Sequence, residues 1–402
     1  MSAGQVERIG LVLGGGGLKG FAHIGVLQAL DEAGVRPAVI AGTSIGALVG
    51  AAYAAGMSTV QMAERACAFQ RRDLFRLNHM GMLLDRMRSP SIYLDGPLRD
   101  TVQSVVPHVR FDDLQSPLLV NTVDLERGTQ VVWGLPGLTN AYVDDAVYAS
   151  CALPGSFPPG AVGGRLCIDG GTLDNLPVAF PPMIGADLVI GVDVGSEKVG
   201  HATDAGSLGF AAVYMRAATV MMDALQNQQF AARGPQPPLL LVRPRIAHIG
   251  WFSFGHAEEL IEAGYLAMRE ALADLQLTAS ATTGIFPRRL VQVVVDADKC
   301  IGCGTCVALA PRTMALDERR LAYPMADNFV WSPADGDFVR HCPTEAIRVR
   351  VEATQGAAAL PPKATEPIAV HTEPAEPVPV PSRGPRIKRR VRGGAAKGEA
   401  AD

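Results

Sequence analysis

Two groups of residues in this 402-residue chain have the types and spacing that chemistry would require. The first centres on Gly42-Thr43-Ser44-Ile45-Gly46. Small residues two before and two after a serine permit a strained strand-to-helix turn that projects the hydroxyl as a nucleophile. A serine hydroxyl is unreactive without a base, and Asp169, in the run Asp169-Gly170-Gly171, could accept its proton. Taken alone, that aspartate reads as a turn residue capping the next segment. The loop Gly14-Gly15-Gly16-Gly17-Leu18-Lys19-Gly20 lies between a strand-like run and a helical pattern. Backbone N–H groups at such a helix start can hold a phosphate or a transient oxyanion. A dinucleotide-binding loop looks similar, but the acid it needs about 20 residues on has no clear place at the end of the second strand, which closes as Ala41-Gly42-Thr43-Ser44.

The second group is Cys300, Cys303 and Cys306, spaced C-x2-C-x2-C, with Cys342-Pro343 supplying a fourth thiolate. Three thiolates at this spacing wrap one corner of an iron–sulfur cubane, and Gly302 and Gly304 let backbone amides approach the sulfurs. Zinc prefers paired C-x2-C knuckles, so iron–sulfur ligation is the better reading.

Positioning these groups calls for an alternating α/β chain. Ile9 to Gly15, Pro37 to Ser44, Pro117 to Asp124 and Asp187 to Gly195 read as buried strands, with helical patterns between them. That alternation predicts a sheet flanked by helices. No charge occurs between Arg36 and Glu64, yet the glycines and Pro37 within that stretch favour a buried strand, a turn and a buried helix over a membrane span. Residues 205–233 read as a long, Met-rich core helix rather than a lipid-facing lid. A linker near residue 280 leads to a compact cysteine-bearing unit, and from Gln355 the composition is too polar to fold. The expected domains are therefore 1–280, 281–350 and a disordered tail at 351–402.

GGGLKG at 15–20, GTSIG at 42–46 and DGG at 169–171 together resemble the patatin-like phospholipase family, with SCALPGSFPP at 150–159 and DNLPV at 174–178 alongside. The resemblance covers residues 8–275. It implies a Ser44–Asp169 dyad forming an acyl-enzyme, an oxyanion hole from the Gly15, Gly16, Gly17 and Gly20 loop, and Lys19 as a brace. A triad would need a histidine, for which His201, His248 and His256 are candidates without flanking motifs; His23 is expected to bond locally. Residues 291–350 resemble bacterial ferredoxins. Ala310 replaces the cysteine that would serve a second cluster, so the resemblance implies one [4Fe–4S] cluster on Cys300, Cys303, Cys306 and Cys342 in a small α+β domain. Electron transfer is its implied role; a structural or sensing role stays open.

The chain carries 36 Lys+Arg against 40 Asp+Glu, a balance that argues against nucleic acid as a partner. Seven cysteines, an odd count with four at ligand spacing, fit a reducing compartment, and Glu7 precedes any apolar run, so a cytoplasmic location is expected. Arg383, Arg386, Lys388, Arg389, Arg390, Arg392 and Lys397 crowd the tail. Either they form a solvated end or they draw the chain to the anionic inner face of a membrane, at roughly 1 kcal/mol per cation. The expected function is lipid acyl ester hydrolysis coupled to the cluster, with an unidentified redox protein as partner. The alternative is an electron-transfer or redox-sensing protein whose patatin-like domain binds lipid or a partner.

Overall fold

A computed structural model of the chain describes residues 8–78, 91–195, 210–234 and 236–351. Nine strands form the main sheet: β1 (Ile9–Leu13), β2 (Val39–Thr43), β3 (Leu118–Asp124), β4 (Thr129–Trp133), β5 (Gly160–Val162), β6 (Arg165–Asp169), β7 (Leu188–Val192), β8 (Leu239–Val242) and β9 (Ile285–Phe286). Their order is β5-β6-β3-β2-β1-β7-β8-β9, with β4 also on β3. From β3 through β9 the strands are parallel along that path, while β4 and β6 meet β3 antiparallel. β1, β2, β3, β7 and β8 are buried along their whole length, which is why their sequences are near-continuous apolar runs.

Alternate residues serve the two faces of the sheet. Leu11, Leu13, Ile40 and Val120 join one core, and Val12, Val39, Ala41 and Leu119 join the other. Helices α1 (Ala22–Glu32), α2 (Ile45–Ala54), α3 (Thr59–Ala68), α4 (Arg71–Leu74), α5 (Gly96–Val105), α6 (Val143–Cys151), α7 (Phe210–Ala232), α8 (Ala257–Leu272) and α9 (Leu275–Ala279) complete this part. The uncharged stretch after Arg36 is β2, a turn and α2, as its glycines indicate. Among the described residues, no helix is long and apolar enough to cross a membrane.

The segment read as a linker supplies β9, so the main sheet extends past residue 280. A second, smaller sheet follows at once. β10 (Arg289–Val295) is its first strand; β11 (Met314–Leu316) and β12 (Ala322–Pro324) form a separate hairpin; β13 (Phe329–Trp331) and β14 (Ile347–Val351) flank β10 antiparallel. With α10 (Thr305–Leu309) and α11 (Asp337–Arg340) these strands enclose a core of Val293, Cys306, Met314, Ala322, Phe338 and Ile347. The tail read at 351–402 lies, apart from Val351, outside the described residues, as does His201.

Candidate active site and cysteine cradle

β2 ends at Thr43 and α2 begins at Ile45, leaving Ser44 alone on the elbow. Its φ of 54° and ψ of -125° are rare for a residue with a side chain. Such a conformation costs about 1–3 kcal/mol and persists only where its surroundings over-determine it. Here the Ser44 N–H donates to Ser150 Oγ at 2.8 Å, and that hydroxyl donates to the Asn121 carbonyl at 2.7 Å. Asn121 Nδ2 in turn donates to Thr43 Oγ1 at 3.1 Å and to the Asp174 carbonyl at 2.7 Å. Gly46 is obligatory, since a Cβ there would stand 2.1 Å from the Leu13 carbonyl oxygen.

Strand register explains how Asp169 reaches this elbow from far along the chain. On β3, Asn121 pairs with Thr43 of β2, and the next residue, Thr122, pairs with Asp169 of β6. β6 therefore takes over the same edge of β3 where β2 ends, bringing its terminal aspartate to the start of the elbow. Ser44 and Asp169 thereby line the same cavity. Asp169 is 5% exposed, and burial pushes its pKa up to about 6, against the pull of the Gly171 N–H bond to Oδ1 at 2.8 Å and of Ser44. Cys151, at the end of α6, lines the same cavity, and burial pushes its thiol pKa up, keeping it neutral.

The glycine loop is divided in its duties. Gly14 donates its N–H to Val192 O at 3.0 Å, and Gly15 donates to Asn175 O at 3.3 Å while its own carbonyl accepts from Asn175 Nδ2 at 3.1 Å. Gly16 and Gly17 open a 3-10 turn over Gly17–Phe21, where the leading amides have no intrahelical acceptor. Gly20 faces Ile45, and a Cβ on it would sit 2.2 Å from that side chain. Only a glycine leaves room for Ile45 at that point. Lys19 is fully buried.

Among the described residues, none of the candidate histidines lines the cavity at Ser44. His23, fully buried, donates Nε2–H to the Gly14 carbonyl at 2.8 Å, and burial pulls its pKa down to about 4, so it stays neutral. His248 and His256 both bond the exposed Glu259, at 2.7 and 3.0 Å, and neither lines the cavity above Ser44. That cavity measures about 670 Å³ and has Ser44, Asp169 and Cys151 in its wall. Phe21, Leu48, Met62, Phe69, Phe157 and Trp251 make most of the rest apolar, and Arg65, Arg72 and Arg76 stand among its polar residues. Motif reading assigned no role to Asn121, Ser150, Cys151 or Asn175. The signal for Asn121 was an amide inside the apolar run Pro117 to Val123.

Cys300, Cys303, Cys306 and Cys342 line one small hollow with Leu316, Ala322 and Ile347, and all four are free. The Ala322 N–H donates to Cys300 Sγ at 3.4 Å and the Ala346 N–H to Cys342 Sγ at 3.3 Å. Thr305 Oγ1 lies 3.4 Å from Cys303 Sγ. Gly302 and Gly304 hold φ of 66° and 78° to turn the loop around the hollow. Four thiols around one hollow, two of them accepting backbone N–H bonds, suit an iron–sulfur cluster.

The fold and the serine elbow define a class, an α/β domain with a serine on a strained strand-to-helix turn. Residues 11–181 match the family model of patatin-like phospholipase, and residues 293–349 match that of the 4Fe-4S single cluster domain. The chain thus joins a patatin-like domain to a 4Fe-4S single-cluster ferredoxin domain. It is 40% identical over 203 residues to an uncharacterized NTE family protein of Mycobacterium tuberculosis, covering 49% of this chain and 52% of that protein. It is 30% identical over 297 residues to Lysophospholipase NTE1 of Phaeosphaeria nodorum, covering 67% of this chain and 18% of that protein. The chain spans about half the length of the mycobacterial relatives and less than a fifth of the fungal one. Among solved structures, VipD from Legionella pneumophila aligns with a TM-score of 0.37 at 15% identity, over 68% of this chain and 69% of that one.

Proposed function

We propose that the chain is a carboxylic ester hydrolase that cleaves lipid acyl esters, with Ser44 as nucleophile and Asp169 as general base and then general acid. The supporting observation is that Ser44, on its strained elbow, and the buried Asp169 share the wall of one largely apolar cavity of about 670 Å³. Ser44 Oγ attacks the ester carbonyl carbon while Asp169 takes its proton. The Gly16 and Gly17 amides receive the oxyanion, with Gly15 held on Asn175 beside them and Lys19 bracing the loop. As the tetrahedral species collapses, the bond to the leaving alcohol breaks and Asp169 returns the proton to it. Asp169 then deprotonates a water, which attacks the acyl-Ser44 ester, releases the carboxylic acid and regenerates both side chains. The apolar wall accepts the acyl chain, and relatives named as lysophospholipases support a lipid ester as substrate.

Cys300, Cys303, Cys306 and Cys342 would hold one [4Fe–4S] cluster, which supplies one-electron transfer when bound. The proposed division carries the first domain through β9, a little past the expected 280, followed by the cysteine-bearing unit to 350 and a tail, in a cytoplasmic protein that reaches an anionic membrane through its basic end and exchanges electrons with a protein partner. Hydrolysis of micellar lysophospholipid and of p-nitrophenyl esters of graded acyl length, with Ser44→Ala as the blank, tests the reading. Turnover dependent on Ser44, with fluorophosphonate attached to that residue, upholds it. No Ser44-dependent turnover of any ester returns the protein to lipid binding and electron transfer.

A further inference from the structure

Helix α7 touches both halves of the molecule, and its two contact sets follow helical spacing. Met222, Gln226 and Gln229 recur at i, i+4 and i+7, one stripe of a helix. The Met222 methyl lies against Gly171, where an added Cβ would stand 2.9 Å from it. Gln226 Nε2 donates to Asp193 Oδ2 at 2.9 Å, just beyond β7 and next to Val192, whose carbonyl holds Gly14. Gln229 Nε2 donates to the Leu173 carbonyl at 3.0 Å, four residues past Asp169. One face of α7 thus supports the turn that carries the carboxylate and the strand end that holds the glycine loop.

Asp223 and Asn227, at i and i+4, lie on the neighbouring stripe and engage the cysteine-bearing unit. Arg340 Nη1 meets Asp223 Oδ2 at 3.2 Å, and Asn227 Nδ2 donates to Asp337 Oδ1 at 3.1 Å. Both partners belong to α11, which ends at Arg340, two residues before Cys342. The Cys342 N–H still bonds the Val339 carbonyl at 3.3 Å, so the fourth cysteine is seated on that helix. Arg243 adds a parallel tie: Nε donates to Asp193 Oδ2 at 2.9 Å and Nη1 donates to the Pro333 carbonyl at 2.5 Å.

We infer that Gln229 and Met222 are positioning residues for Asp169, and that α11 sets their register through the Arg340–Asp223 and Asp337–Asn227 contacts, so that ligation at Cys342 governs the alignment of the ester-cleaving carboxylate. This rests on the hydrolase reading above. Packed elements transmit such a shift because they hold discrete arrangements rather than deforming continuously. The Asp169 carboxylate sits at the receiving end, accepting the Gly171 N–H of its own turn, so a small displacement of Gly171 changes both its aim and its burial.

The test uses the full chain purified without oxygen, with Gln229→Leu, Arg340→Gln, their double variant, and Arg340→Lys as the charge-conserving control. Iron content and visible spectrum are read first, so that each variant is compared with its cluster intact. Each single change is expected to lower kcat about five- to tenfold with KM within about twofold, and to move the acid limb of the pH–rate profile downward as water reaches Asp169. The double variant is expected to lose no more than the worse single variant, and Arg340→Lys to recover most of the rate. Additive losses, a change in KM alone, or an unmoved pH profile would overturn the coupling. A second arm needs no turnover: in Cys342→Ser, amide exchange in residues 170–176 is expected to quicken relative to wild type, and equal exchange sinks the proposal. If wild type shows no Ser44-dependent hydrolysis, the hydrolase reading fails while the exchange arm still decides whether α7 links the two sites.

Discussion

The serine site and the cysteine cradle are assembled by opposite strategies. Ser44 and Asp169 lie far apart in sequence and meet because β3 pairs with β2 and then with β6 along one edge. Three of the four cysteines share a single tight loop, turned by Gly302 and Gly304, and only Cys342 arrives from elsewhere. The first site is buried and rigid, anchored in the main sheet and braced by Asn121 and Ser150. The second is a shallow structure on a small core. Catalysis by a hydroxyl needs sub-ångström aim and a dry base, which a sheet supplies; holding a cluster needs thiols near enough for the group itself to complete the structure.

The sharpest way to break this contrast is to remove one group from each site. Ser44→Ala and Asp169→Asn are each expected to reduce kcat for ester hydrolysis about 10³-fold or more, because nucleophile and base act as a unit. Steady-state rates on a short-chain ester check this, and a variant retaining a tenth of the rate would exclude that residue from the dyad. On the other side, Cys342→Ala is expected to abolish the brown chromophore and release iron, since a ligand that comes from outside the loop has no local substitute. An unchanged visible spectrum and iron content would remove Cys342 from the ligand set.

The elevated pKa of Asp169 separates function from stability. The carboxylate must be ionised to accept the Ser44 proton, so the rate is expected to fall about tenfold per pH unit below about 6. A limb near 4 would mean the base is solvated or is another group. The same elevation means that the folded chain binds this proton more tightly than the unfolded chain does. Stability attributable to Asp169 is therefore greatest below its unfolded value near 4 and is lost as pH rises through about 6. Asp169→Asn, though inactive, is expected to match wild type near pH 4 and to exceed it by about 2 kcal/mol at pH 8, the relief of a desolvated charge. Denaturant titrations at the two pH values decide it. Equal stability at both would show that the pull of Gly171 and Ser44 fully offsets the burial.

Much of this was legible in the sequence, and the failures have a physical pattern. The apolar runs became β1, β2, β3 and β7, and the three small-residue motifs landed on the turns their spacing required. The motifs announce themselves because each encodes a local backbone demand, such as the 54° φ at Ser44. The encounter of Ser44 with Asp169 was not legible, since it depends on the register of β3, a long-range pairing with no period in the local sequence. The packing duty of Gly20 was hidden for a related reason: a glycine that yields room for Ile45 looks the same on paper as one that presents an amide. The two stripes of α7 were read only as a Met-rich core helix, because Asp223, Asn227 and Gln229 acquire meaning from partners over 50 residues away.

The smallest expected effect tests the proposed dyad against a triad. In a triad the imidazole must bond both the hydroxyl and the carboxylate. Among the described residues, no histidine lines the cavity that Ser44 and Asp169 share. His248 and His256 each spend a ring nitrogen on Glu259, and these hydrogen bonds lower its pKa, so the three side chains form their own exposed cluster. His23 bonds Gly14 and is held neutral by burial. His248→Ala and His256→Ala are accordingly expected to leave kcat/KM within about twofold of wild type, as surface changes away from a site do. A loss of 100-fold in either, with the fold intact, would mean that the loop carrying these residues swings onto Ser44 during turnover and that the carboxylate acts through a ring after all.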